Sequence, residues 1–181
     1  MTGRIYICRV GGAKWLGMGW LERRRIGLEE RTLAAVRLIA LRSRSDQGPA
    51  HLRTGIEGED AAFFYLRRKG FVVVARRWSS HLQRGDVDLI AWDGTVLCFV
   101  EVKTRTAHDM AAAQVAVDSA KRNALRKLAR HYVRQLPMET SPPVRFDVLS
   151  VYLIPGKAKE FVHFEAAFGW SEGRAWDGWD D

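Results

Sequence analysis

Asp86-Val87-Asp88-Leu89-Ile90-Ala91-Trp92, then Asp93-Gly94, then Thr95-Val96-Leu97-Cys98-Phe99-Val100-Glu101-Val102-Lys103, is the stretch from which the fold can be read. Two β-prone runs split by Asp-Gly spell a hairpin with a type I′ turn. Without a bulge, that turn sets Trp92 opposite Thr95, Asp88 opposite Phe99 and Asp86 opposite Glu101. Side chains alternate along a strand, so Asp86, Asp88, Glu101 and Lys103 share one face. Opposed and diagonal Cβ atoms lie about 4.5–8 Å apart. Three carboxylates and one ammonium therefore crowd one end of an otherwise apolar hairpin.

Like charges facing each other across a ladder destabilise it. Acids held close raise one another's pKa or recruit a cation. A hard divalent cation relieves the repulsion, and Mg²⁺ usually takes only one or two protein carboxylates. Asp88, Glu101 and Asp86 are thus candidate ligands for Mg²⁺ or Mn²⁺, with the carbonyl of Val102 as a further donor. Lys103 would stand beside the ion, where it can orient or deprotonate water or stabilise charge on a phosphate. For any single acid, a solvated hairpin end with Lys103 neutralising Glu101 is the plainer reading. Four such residues interrupting so apolar a run favour a functional cluster.

Asp88 followed by Glu101-Val102-Lys103 on the next strand resembles the PD-(D/E)XK nuclease signature. A longer ordered series is more specific: Gly58-Glu59-Asp60-Ala61-Ala62, Tyr65-Leu66, Gly70, Gly85-Asp86-Val87-Asp88-Leu89-Ile90, Phe99 to Arg105, and Arg145-Phe146-Asp147-Val148. This series, over about residues 55 to 153, resembles the YraN family of small bacterial proteins, grouped with the PD-(D/E)XK nuclease-like fold. The chain departs from the family pattern in having Asp86 where Glu is usual, Arg76-Arg77-Trp78-Ser79-Ser80 in place of an Asn-rich stretch, and His108-Asp109-Met110 in place of a Phe-Gly pair. The resemblance implies Asp88, Glu101 and Lys103 as catalytic residues, with Glu59 as an accessory acid. It also singles out Lys121, a lysine near a helix start. Arg105, Lys121 and Arg122 are the candidates to hold substrate phosphate.

Composition frames this reading. The chain has 181 residues, 47% hydrophobic and 28% charged, enough for one domain with a real core plus an extension. A net charge of +8 suits a polyanionic partner, with nucleic acid the first guess; DNA rather than RNA is only what the resemblance to the nuclease fold implies. Cys8 and Cys98 form neither a zinc pattern nor an expected disulfide, and the five histidines show no metal spacing. The stretch from Ile5 to Leu21 is broken by Arg9 and Lys14, so no membrane span or signal peptide is expected and the protein reads as cytoplasmic. A homodimer is left open.

Residues 1–52 read as an N-terminal extension, 53–165 as the nuclease-like domain and 166–181 as a Trp/Asp-rich tail. Leu21 to Arg42 reads as a helix with Leu28, Leu33, Val36, Ile39 and Ala40 as its apolar stripe and arginines between. Ser43 to Pro49 is a linker. Thr54 and Glu57 suggest a capping box opening the next helix, with Glu59 in its first turn and Gly70 at its end. Phe71 to Arg76 is the first strand, Ala113 to Leu136 a long basic helix, Arg145 to Ile154 the fourth strand and Phe161 to Phe164 a short edge strand. Asp147 is expected in a structural salt bridge. The predicted class is α/β: a restriction-endonuclease-like αβββαβ core with a mixed sheet flanked by helices.

The expected chemistry is metal-dependent hydrolysis of a phosphodiester. A non-catalytic nucleic-acid-binding module of the same fold is the alternative. An assembly protein docking through its N-terminal helix and Trp-rich tail is a third reading.

Overall fold

A computed structural model describes residues 20–42, 50–107, 117–137 and 141–171 of the chain. The elements run α1 (Trp20–Arg42), α2 (Ala50–Arg68), β1 (Val72–Ser80), β2 (Gln83–Asp93), β3 (Val96–Arg105), α3 (Ser119–Val133), β4 (Val144–Tyr152) and β5 (Glu160–Phe168). The strands form one sheet in sequence order. β3 and β4, joined through α3, are parallel, and the other neighbours are antiparallel. This is the expected restriction-endonuclease-like arrangement, with β5 longer than the strand anticipated at 161–164. The tail beyond Ser171, the linker after Arg42 and the loop at 108–116 lie outside the described residues.

The central hairpin forms, but in a different register. β2 and β3 pair from Asp93↔Val96 to Leu89↔Val100, so the two-residue loop is Gly94-Thr95 rather than Asp93-Gly94. Positive φ falls on Gly94 (59°) and on neither neighbour. That pattern suits a type II′ turn, which needs glycine only at its first central position. A type I′ turn over Asp93-Gly94 would have put the aspartate in left-handed backbone as well. The slip moves each partner by two residues, an even step that by itself leaves strand faces unchanged, although alternation lapses between Val87 and Ile90, which pack in one cluster while Leu89 packs in the other. It does change the pairing: Phe99 faces Ile90, and the register continued past Leu89 puts Asp88, not Asp86, opposite Glu101.

Alternation gives the sheet two apolar faces. On one, Ile90, Leu97, Phe99, Phe146 and Val148 pack against Leu125, Leu128, Ala129 and Tyr132 of α3. On the other, Leu89, Ala91, Cys98, Val100, Leu149 and Val151 pack against Ala61, Ala62 and Leu66 of α2. α2 approaches β3 so closely that a Cβ on Gly58 would stand 1.9 Å from Thr104 Oγ1. Only glycine permits that seat. The helix ends as expected at Gly70, with Phe71 N donating to Leu66 O at 3.0 Å and Gly70 N to Arg67 O at 3.1 Å.

Three helix expectations need correction. α2 begins at Ala50, so Thr54 and Glu57 lie inside it and Glu59 sits mid-helix, beyond the reach of the N-terminal dipole. α3 begins at Ser119, not Ala113, because the Asp118 side chain caps it by accepting the Lys121 amide hydrogen at 2.7 Å. Among the α1 side chains described, Ile26 is the buried one, while Leu28 and Val36 of the expected stripe are exposed and Leu33 is half-buried; Ile39 and Ala40 lie outside the described side chains. Ion pairs of Glu29 with Arg67 and Glu30 with Arg68 tie α1 to α2. Asp147 behaves as expected: fully buried, it accepts from Arg145 Nε at 2.9 Å and from the Ala166 amide at 2.9 Å, and lies 3.0 Å from His163 Nε2.

Candidate functional site

The site lies where β2 leaves β3. Their ladder ends at Leu89↔Val100, whereas β1 and β2 stay paired out to Ser80↔Gln83. At the parting point Asp88 Oδ2 accepts the Val102 amide hydrogen at 2.7 Å. The side chain thus satisfies a strand donor beyond the end of the β2/β3 ladder. Arg77 on β1, between the pairs Arg76↔Leu89 and Trp78↔Val87, takes a left-handed φ of 48° at the same level. Such a conformation costs a non-glycine residue about 1–2 kcal/mol.

Glu101 is buried, 3% exposed, directly after the apolar run Val96–Val100 of β3. Lys103 Nζ lies 2.9 Å from its Oε1, and Lys121 Nζ lies 3.0 Å from its Oε2. Lys121 reaches in from the first turn of α3. It also donates to the backbone carbonyl of Asp86 at 3.3 Å and stands 3.9 Å from the Asp86 carboxylate. Burial, and then the charge of Glu101, push the Asp88 carboxyl up to about 7, against the downward pull of the Val102 amide and Lys121. Burial lowers the Lys121 pKa, yet Glu101, Asp88 and Asp86 outweigh it and the net shift is upward. Two carboxylates are held together in a half-dry site, each fixed by a partner, and they repel one another.

Asp88, Glu101, Lys103 and Lys121 therefore converge. Asp86 joins at the edge, through Lys121. Glu59 is held by Arg77, whose Nε lies 2.9 Å from its Oε2. Burial raises the Glu59 pKa against Arg77 and Arg76, with Asp86 and Asp60 adding to the rise. Its charge is felt at the cluster, but its hydrogen bonds go elsewhere. Arg105 follows Lys103 by two residues and shares its face of β3. Arg122 is half-buried, and its Nε is enclosed with no hydrogen-bond partner among the described residues.

Two residues of this face escaped the sequence reading. Across the parallel ladder Lys103 pairs with Ser150 and Arg105 with Tyr152. Both are buried on the α3 side, following Phe146 and Val148 by alternation. The Ser150 hydroxyl has no hydrogen-bond partner among the described residues. The available signal was the polar turn of the strand after Val148, where hydroxyls replace apolar side chains on one face.

Hard oxygen donors in this setting fit Mg²⁺ or Mn²⁺. Asp88 and Glu101 supply the two carboxylates that such an ion commonly takes from protein, the rest of its shell being water. Glu101 Oε2 is buried 3.0 Å from Lys121 Nζ, so a bound ion would share that oxygen with the ammonium. Among the described residues no three of His, Cys, Asp and Glu gather as a metal-holding group. The fit is to a carboxylate pair.

A family model described as uncharacterised protein family UPF0102 matches residues 58–151, from the Gly58 seat through Ser150. A UPF0102 protein of Koribacter versatilis is 48% identical over 122 residues, 67% of this chain and 84% of the relative. One from Solibacter usitatus is 48% identical over 96 residues, 53% of this chain and 72% of its own. Another, from Porphyromonas gingivalis, is 40% identical over 119 residues, 65% and 85% of the two chains. No helix among the described residues is long and apolar enough to cross a membrane.

Proposed function

The chain belongs to the UPF0102 (YraN) family, and from that premise and the geometry of its carboxylate pair we propose that it is a metal-dependent nuclease acting on nucleic acid, DNA first. The observation that carries the reading is the pairing of half-buried Asp88 with buried Glu101, with the Lys103 ammonium 2.9 Å from Glu101. Asp88 and Glu101 hold the ion. When bound, Mg²⁺ or Mn²⁺ lowers the pKa of a water and neutralises charge on the phosphate.

The chain's own residues do the rest. The Val102 amide fixes the Asp88 carboxylate, so the pair is arranged before substrate arrives. Lys103 positions the attacking water or stabilises negative charge gathering on the phosphate. Lys121, anchored by the Asp118 cap and the Asp86 carbonyl, places a second ammonium on the other oxygen of Glu101. Arg105 and Arg122 extend the cationic floor toward the flanking backbone. The +8 net charge favours capture of a polyanion.

One observation favours the non-catalytic alternative. Glu101 is already flanked by two ammonium groups, which balance its charge without any metal. Incubating the protein with branched, linear and single-stranded substrates and Mg²⁺ or Mn²⁺ separates the readings. Cleavage that Asp88→Ala and Lys103→Ala abolish, with thermal unfolding still cooperative, is the expected result. Tight binding with no turnover on any substrate selects the binding module.

A further inference from the structure

β1 and β2 continue past the end of β3's ladder as a two-stranded arm beside the carboxylate pair. The arm is braced against α3: Trp78 is edge-on to Tyr132 with ring centroids 5.2 Å apart, and His81 is 6.5 Å from His131. Its tip is the two-residue turn His81-Leu82 between paired Ser80 and Gln83. Leu82 is 62% exposed there, and its amide donates to Ser80 Oγ at 3.1 Å. Arg84 follows, exposed.

Charge is segregated on these two elements. From Val72 to Gly85 there is no acid, while Arg76, Arg77 and Arg84 are present. α3 likewise contains no Asp or Glu. Its cations divide by direction: Lys121 enters the site, Arg126 reaches the Gly169 carbonyl at 2.8 Å, and Arg130 covers Trp170. Lys127 and Arg134 are exposed and lie one turn to either side of His131, the residue that meets the arm. Lys127 and Arg134, flanking His131, thus give α3 a cationic edge where it meets the arm, with Arg84 two residues past the arm's tip.

We propose that this edge and the β1–β2 arm form a duplex-binding surface, with Leu82 at the tip entering a groove of double-stranded nucleic acid while Arg84, Lys127 and Arg134 contact the phosphates. The inference rests on reading the adjacent carboxylate pair as a phosphodiester site. A two-stranded ribbon is narrow enough for the major groove, and an apolar wedge such as leucine is the side chain that proteins insert between base steps. Among the described residues, α3 and the arm from Val72 to Gly85 carry no carboxylate, and Asp86, next along β2, stands 3.9 Å from Lys121 Nζ.

The test uses the full chain in chelator, so that binding is read without hydrolysis, with fluorescence anisotropy on a labelled duplex and on one of its strands. Arg84→Ala, Lys127→Ala and Arg134→Ala should each flatten the salt dependence of duplex binding by about 0.9 in log–log slope. Leu82→Ser should weaken duplex binding several-fold and leave single-strand binding unchanged. All four positions are exposed, so unfolding temperatures should not move. Unchanged duplex affinity and slope in all four variants overturn the surface, and so does an equal loss on duplex and single strand for Leu82→Ser. Metal-dependent cleavage of a single strand alongside either result leaves the nuclease reading standing and removes only the arm. The predicted binding pattern with no cleavage of any substrate does the reverse.

Discussion

The Asp88 carboxylate takes the amide hydrogen of Val102 at 2.7 Å, at the point where β2 stops pairing with β3. One bond thus ends a ladder, fixes a side chain and sets a half-buried acid beside Glu101. Asp88→Asn keeps an oxygen for that amide while removing the charge. The variant should fold with an unchanged circular dichroism spectrum and show no metal-dependent cleavage. Residual activity above a hundredth of wild type would count against the assigned role.

The raised Asp88 pKa has a signed consequence for stability without metal. Its carboxyl sits at about 7 in the folded protein against an ordinary value of 3.8. Between those values the native state holds a proton that the unfolded chain has released, so stability falls as pH rises and levels off above about 7. One such proton gives a slope of at most about 1.4 kcal/mol per pH unit. Denaturant titrations from acid to neutral pH should show this component in wild type and lose it in Asp88→Asn. A variant no more stable than wild type at pH 8 would argue against a strained buried charge.

Protons and metal compete for the same pair. Saturating Mg²⁺ should raise the unfolding temperature at pH 8 and do so less at pH 5, because a ligand that binds the native state stabilises it by mass action. The same addition should leave Asp88→Asn unmoved. Equal stabilisation of both proteins would place the ion elsewhere.

The hairpin and its cluster were legible because two β-prone runs flank a turn dipeptide, and strand alternation alone decides which residues share a face. The register was not, since Asp-Gly allows the glycine to occupy either central position and only the backbone angle at Gly94 discriminates. A slip of two residues preserved the face, so Asp88, Glu101 and Lys103 still came together although their pairing changed. Glu59 and Asp86 were harder. Their partners, Arg77 and Lys121, come from other elements, and no local pattern announces such contacts. Ser150 was invisible for a different reason: a small hydroxyl residue in an apolar strand fits a core as readily as a site. The helix ends failed where a cap is a matter of competition, as Asp118 shows by starting α3 later than periodicity suggested.

Gly58 tests the seat of α2. An added methyl would meet the Thr104 side chain at 1.9 Å. Overpacking of this kind costs about 1–3 kcal/mol. Gly58→Ala should lower the denaturation midpoint accordingly, and Thr104→Ala in the same chain should recover part of the loss, a non-additivity expected of touching residues. Additive effects would show that the helix simply shifts.

Asp147 holds β4 to β5 without entering the site. Removing it takes the buried carboxylate from half-buried Arg145, which keeps Asp93 at 3.0 Å, and leaves the Ala166 amide without its acceptor. Loss of hydrogen bonds to a charged group costs about 1.5–3 kcal/mol. Asp147→Ala should therefore destabilise strongly, and any protein that remains folded at low temperature should keep its metal-dependent activity. Wild-type stability in this variant would be incompatible with the buried network.

The central claim is that Asp88 and Glu101 together capture a hard dication. Calorimetric titration of Mn²⁺ into the purified protein at pH 8, in the presence of a non-cleavable oligonucleotide, addresses it most directly. Saturable uptake in wild type that disappears in Asp88→Asn is the predicted result. Identical titrations for the two proteins, or no uptake in either, would contradict it.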